Sequence, residues 1–151
     1  MRIIVAFFLC TITNLVFAQV ITSDPLFPSD NSPVVINFYS DQGTAGLSDF
    51  QGDVYAHTGV ITDKSTFLND WKYVKTSWGE NTPETKLSRI ATNHYQLNIN
   101  PTIREYYGVP DDEQILKIAF VFRDASASIE GKGDGGSDMF IELNQGFALN
   151  V

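Results

Sequence analysis

Ile115-Leu116-Lys117-Ile118-Ala119-Phe120-Val121-Phe122 is rich in β-branched and aromatic residues, and it is apolar at both odd and even positions except for Lys117. A strand with one wet face alternates apolar and polar residues, whereas a run apolar on both faces reads as a central strand covered on both sides. This segment is therefore the predicted heart of the core, with Leu116, Ile118, Phe120 and Phe122 as its inward face. Outward from it, period-two runs recur at Val34 to Phe38, Val54 to Ile61, Trp71 to Trp78, Tyr95 to Ile99 and Met139 to Leu143. Turn residues separate them: Pro25 to Pro33, Gly43 to Gly46, Pro83-Glu84 and Gly108 to Asp112. Short strands at such intervals predict an all-β, antiparallel β-sandwich. One segment departs from this pattern. Asn100 can cap a helix, Pro101 suits its first position and Gly108 can end it, so a short helical turn is expected over 101–108.

The start of the chain indicates the compartment. Arg2 precedes the apolar run Ile3 to Leu9, and Leu15-Val16-Phe17-Ala18 leads to Gln19, so residues 1–18 read as a signal peptide cut after Ala18. Thr11, Thr13 and Asn14 interrupt the apolar stretch, which argues against a membrane anchor. Phe7-Phe8-Leu9-Cys10 loosely resembles a lipoprotein signal, but a cut there would strand Leu15-Val16-Phe17 in the mature chain, so ordinary cleavage is preferred. The single cysteine, Cys10, is then removed, and neither a disulfide nor a thiolate metal site is available to the mature protein. Residues 19–151 are enough for one domain, secreted or held at the outer cell surface. That segment carries nine basic against eighteen acidic residues, a net charge of −9. Such a balance repels nucleic acid and anionic lipid and favours neutral or cationic partners, among which neutral glycans fit. The apolar end, Gln145 to Val151, reads as a strand leading into further domains of a longer protein, and a monomer is expected.

The aromatic run Asp70-Trp71-Lys72-Tyr73-Val74-Lys75-Thr76-Ser77-Trp78-Gly79 is the leading site candidate. A sugar presents a C–H face that stacks on a flat ring and hydroxyls that bond to a polar rim. Trp71 and Trp78 are the predicted platforms, and Tyr55, His57, Tyr73 and Lys75 complete the candidate ligand-binding set. On an uninterrupted strand Trp71 and Trp78 would point to opposite faces, one of them to the core, and at each position core packing and ligand contact stay equally open. Tyr55 and His57 share a strand face, where His57 is either part of the platform or a half-buried sheet histidine. His94 lies apart from His57 at no metal-ligand spacing, so no metal site is expected. Gly131-Lys132-Gly133-Asp134-Gly135-Gly136 matches a dinucleotide fingerprint in letters only, because Met139-Phe140-Ile141 continues as a strand. It reads as a hairpin loop, with Asp134 and Asp138 as a solvated acidic turn in preference to a calcium site. With no G-x-S-x-G, histidine pair or mature cysteine, no catalytic residue and no cofactor are assigned.

Gly52-Asp53-Val54-Tyr55-Ala56-His57-Thr58-Gly59, the Trp71–Trp78 run, Pro101 to Pro110 and Leu116 to Arg123 together resemble the N-terminal module of secreted alpha-amylase-family glycoside hydrolases from Gram-negative polysaccharide-degrading bacteria. That module is similar to the immunoglobulin-like starch-binding domains of outer-membrane starch-utilisation proteins. The resemblance implies an immunoglobulin-like fold and binding of an α-glucan, starch or glycogen, by aromatic stacking. A catalytic barrel needs about 250 residues, so it does not fit in this segment. The alternative reading is a structural spacer that packs on a downstream catalytic domain.

Overall fold

Alternation of small turns and period-two runs produces eight strands among the described residues. They are β1 (Ile21–Asp24), β2 (Val34–Tyr39), β3 (Val54–Thr62), β4 (Ser88–Ala91), β5 (His94–Ile99), β6 (Ile115–Asp124), β7 (Glu130–Gly131) and β8 (Met139–Glu142). The computed structural model describes residues 18–146. The expected signal peptide up to Phe17, with Cys10, and the apolar end from Phe147 lie outside the described residues. All pairings are antiparallel, in one sheet of order β1-β2-β5-β4 and a second in which β6 lies between β3 and the β7/β8 edge. This is the strand order of a constant-type immunoglobulin-like sandwich. The described residues form an all-β immunoglobulin-like domain with one short α-helix.

The sheets meet over inward residues of four strands: Ile36 and Phe38, Tyr95 and Leu97, Ala56 and Val60, and Ile118, Phe120 and Phe122, all fully or almost fully buried. β6 is buried on both faces from Ile118 onward, as its composition predicts. Its start differs from expectation. The β3–β6 register shifts between Ile61 and Thr62, so that Ile61 faces Lys117 while Thr62 faces Ile115. The bulge leaves Leu116 unpaired, turns Ile115 into the core and leaves Leu116 half-buried.

The helix α1 (Ile103–Tyr107) crosses from β5 to β6. Its cap is Thr102, not Asn100: the Thr102 hydroxyl oxygen accepts the Glu105 N–H at 3.1 Å and the hydroxyl donates to Glu105 Oε2 at 2.9 Å, and Pro101 precedes the cap. Gly108 ends it at φ 70°, as expected. Tyr107 fastens this crossover to the sandwich. Thr58 Oγ1 donates its proton to the Ala119 carbonyl at 2.8 Å, so the buried Tyr107 hydroxyl is the donor to Thr58 at 2.6 Å.

Two segments expected as regular pairs are not. Residues 132–138 are not a hairpin loop, because β7 and β8 do not pair with each other. Both pair with the same side of β6, Gly131 opposite Phe122 and Met139 opposite Phe120. They are two halves of one edge strand, looped out opposite Val121. The run from Trp71 to Trp78 is not a strand either; it keeps a single bridge, Lys72 to Val60, and one further backbone bond from Lys75 N–H to the Thr58 carbonyl.

Candidate functional site

Odd-numbered residues of β3 and β6 point away from the sandwich core, so Tyr55, His57 and Gly59 stand beside Arg123, Val121 and Ala119 on the outer face of the second sheet. The adjacent pair Gly59 and Ala119 makes a shallow seat there. A Cβ at Gly59 would lie 2.9 Å from the Lys72 carbonyl oxygen and 3.0 Å from Val74 Cγ2, so only glycine admits the segment that crosses at this point. Tyr73 adopts a left-handed backbone (φ 50°), which breaks the two-residue alternation of the run. Trp71 and Trp78 consequently come to the same side, contrary to the expectation of opposite faces.

Both indoles converge on His57. Trp71 stacks on the imidazole at 5.7 Å between centroids and 29°, and Trp78 meets it edge-on at 5.2 Å and 80°, so the two indoles are steeply inclined to each other. Trp71 is half-buried, whereas Trp78 is 46% exposed. With Val121 as floor and Asn69, Glu130, Lys132 and Asp138 as rim, they line an open groove of about 350 Å³, within the size range of small-ligand sites. Glu130 and Lys132 pair at 3.3 Å.

Arg123 sits behind the groove, fully buried. Its guanidinium carbon lies 5.5 Å from the Tyr55 ring centre and 5.9 Å from that of Trp78. One nitrogen donates to Asn81 Oδ1 at 2.8 Å and to the Asp124 carbonyl at 3.0 Å, and the other to the Glu80 carbonyl. No carboxylate pairs with it among the described residues. The arginine thus ties the 80–81 segment to β6 and holds Trp78 in an unbroken line of ring contacts from Tyr55 to Trp71. Burial, and then the Arg123 charge, hold the His57 imidazole below its ordinary value, with Asp138 pulling the other way. His57 is therefore neutral at pH 7. Its Nδ1 and Trp71 Nε1 are buried without hydrogen-bond partners among the described residues.

The structure thus brings Trp71, Trp78 and His57 together, with Tyr55 behind Arg123. Tyr73 and Lys75 are placed elsewhere. The Tyr73 hydroxyl donates to Glu113 Oε2 at 2.6 Å, beside Thr62 and Lys64. Lys75 donates to the Tyr106 carbonyl at 2.7 Å, pairs with Glu84 at 3.1 Å and caps the Tyr106 ring. Asp124 is also structural: burial would raise its carboxyl, but the Ser126 hydroxyl and the backbone N–H groups of Ile129, Ser126 and Ser128 outweigh that and hold it at about 2. Sequence reasoning passed over Arg123. Its signal was available, since a charge ending an apolar two-faced strand lies on the same face as Val121.

A comparison with curated proteins found no match to the chain. A family described as a domain of unknown function (DUF8578) matches residues 21–130, from β1 to the first residue of β7, and so covers Tyr55, His57, Trp71, Trp78 and Arg123. The chain belongs to this DUF8578 family.

Proposed function

We propose that this domain is a non-catalytic carbohydrate-binding module for an α-glucan such as starch or glycogen, at the front of a secreted alpha-amylase-like glycoside hydrolase. The observation that carries the proposal is the convergence of Trp71 and Trp78 on His57 in an open groove. Indole faces offer the C–H side of a pyranose a stacking surface, and the polar rim offers partners for its hydroxyls. Two inclined rings make a bent surface. An α-1,4-linked chain curls and suits such a surface, whereas a flat β-1,4 ribbon suits coplanar rings. The Glu130–Lys132 pair neutralises itself on the rim, which favours an uncharged ligand over an anionic one.

Electrophoresis in native gels containing soluble starch tests the proposal, with migration slowed for the parent and restored by Trp71→Ala or Trp78→Ala. Each lost stack is worth about 1 kcal/mol or more, a several-fold loss of affinity. Unchanged migration at millimolar glycan would sink it.

A spacer role has one observation in its favour. Leu26 and Phe27 in the β1–β2 loop and Phe67 and Leu68 after β3 are more than half exposed, on loops at the same end of the sandwich. Packing on another domain would protect these four side chains, while the groove would stay open.

A further inference from the structure

The floor of the groove ends in a carboxylate that the fold leaves unused. His57 and Val121 are cross-strand partners. Met139, opposite Phe120, is buried in the core, so Asp138, one residue earlier, lies on the outer face beside Val121. His57, Val121 and Asp138 therefore form a row across the sheet, between the two indoles and the rim.

The other charged groups near the groove are engaged. Glu130 and Lys132 pair with each other, and Arg123 is bonded to Asn81, Asp124 and Glu80. The 132–138 loop is closed by Gly133 N–H to the Ser137 carbonyl at 2.9 Å and the Ser137 hydroxyl to the Asp134 carbonyl at 3.0 Å, without help from Asp138. Glu113 and Asp124, the two buried carboxylates, accept several hydrogen bonds each. Half-buried Asp138 makes neither a hydrogen bond nor an ion pair among the described residues, although it faces an aromatic groove. A carboxylate in that setting has acceptor sites on both oxygens free for what enters the groove.

We infer that Asp138 is the specificity-determining residue of the groove: its two oxygens accept hydrogen bonds from adjacent hydroxyls of a saccharide ring whose C–H face rests on an indole. The inference rests on the carbohydrate-binding reading and narrows its ligand class to neutral saccharides with a free vicinal diol. Charge-assisted bonds from hydroxyl to carboxylate are short and strong. The same negative charge repels uronic acids, so acidic polysaccharides are excluded by the group that selects neutral ones.

Titration calorimetry of the full chain with maltoheptaose, and with the same oligosaccharide fully O-methylated, tests the assignment. Asp138→Ala should weaken maltoheptaose binding tenfold or more at an unchanged melting temperature, while Asp134→Asn on the same loop keeps the parent affinity. The methylated probe retains its rings without hydroxyl donors, and it should bind the parent and Asp138→Ala equally weakly. Parent-like maltoheptaose affinity in Asp138→Ala, with Trp78→Ala impaired, would overturn the role of Asp138 and leave the glycan site standing. No binding of maltoheptaose by the parent would overturn the α-glucan reading itself, and this inference with it.

Discussion

The rings of Phe38 in β2 and Phe122 in β6 stack across the sandwich, 4.1 Å between centroids and 25° apart. In antibody domains the same two strands carry the disulfide that pins the sheets. Phe120 and Tyr95 extend the contact at 5.7 Å from Phe122 and 6.1 Å from Phe38. Here apolar packing performs the task of that covalent link.

Truncating this pin therefore has a large effect. Phe122→Ala should cost about 3–5 kcal/mol, because a buried aromatic leaves a cavity that a close-packed core fills only partly. Trp78→Ala, at an exposed ring, should cost about 1 kcal/mol or less. Urea unfolding of the two variants side by side checks the contrast, and equal losses would place Trp78 in the core.

Arg123 anchors Trp78 from behind. Arg123→Met leaves the Glu80 carbonyl and Asn81 Oδ1 without their donor and should destabilise the domain by about 3 kcal/mol. Arg123→Lys should recover only part, since an ammonium cannot fork to these acceptors while stacking on Tyr55 and Trp78. Acrylamide should also quench the tryptophans more readily in both variants, and unchanged quenching would separate Arg123 from the groove.

Gly59 controls how closely the aromatic segment lies on the sheet. Gly59→Val meets backbone at Lys72 and should cost about 1–3 kcal/mol as the segment lifts. Tryptophan emission should shift to the red in the folded variant. An unshifted spectrum would show that the seat does not position the rings.

Glu113 makes stability depend on acid. Hydrogen bonds from Thr62 and Tyr73 and the nearby Lys64 ammonium outweigh burial and hold its carboxyl at about 2, against an ordinary 4.5. The folded state thus resists protonation more than the unfolded one, so this contribution is complete above pH 4.5 and is lost as pH falls towards 2. Thermal melts of Glu113→Gln across that range should show a flatter acid slope than the parent. An identical slope would remove Glu113 from the acid response.

The strands were legible because burial imposes a period of two on β2, β3 and β5, and covers both faces of β6. What misled was also periodic. Trp71 to Trp78 alternates like a strand, yet Tyr73 in a left-handed conformation re-phases it, and the seat at Gly59 and Ala119 that receives it is remote in sequence. Local pattern reports which side chains avoid water, but not whether a neighbouring strand or a smooth sheet face covers them. The same limit explains the 132–138 segment, where Gly-rich letters identified a loop but not that both its ends pair with β6. At Thr102 a sharper local reading was possible, since T-x-x-E at 102–105 is the sequence signature of a helix start.

The split edge strand separates two kinds of change. Gly131 and Met139 each hold their own register on β6, Lys132 is bonded to Thr44, and Gly133 N–H closes on the Ser137 carbonyl, so residues 134–136 at the tip can be added or removed with little penalty, about 0.6 kcal/mol for a doubling of loop length. Asp138 stays in place through such changes because the neighbouring Met139 is anchored in the core. The tip beside the groove is in this way an exchangeable cassette, and libraries that vary residues 134–136 in length and composition can change what borders the groove without redesigning the sandwich.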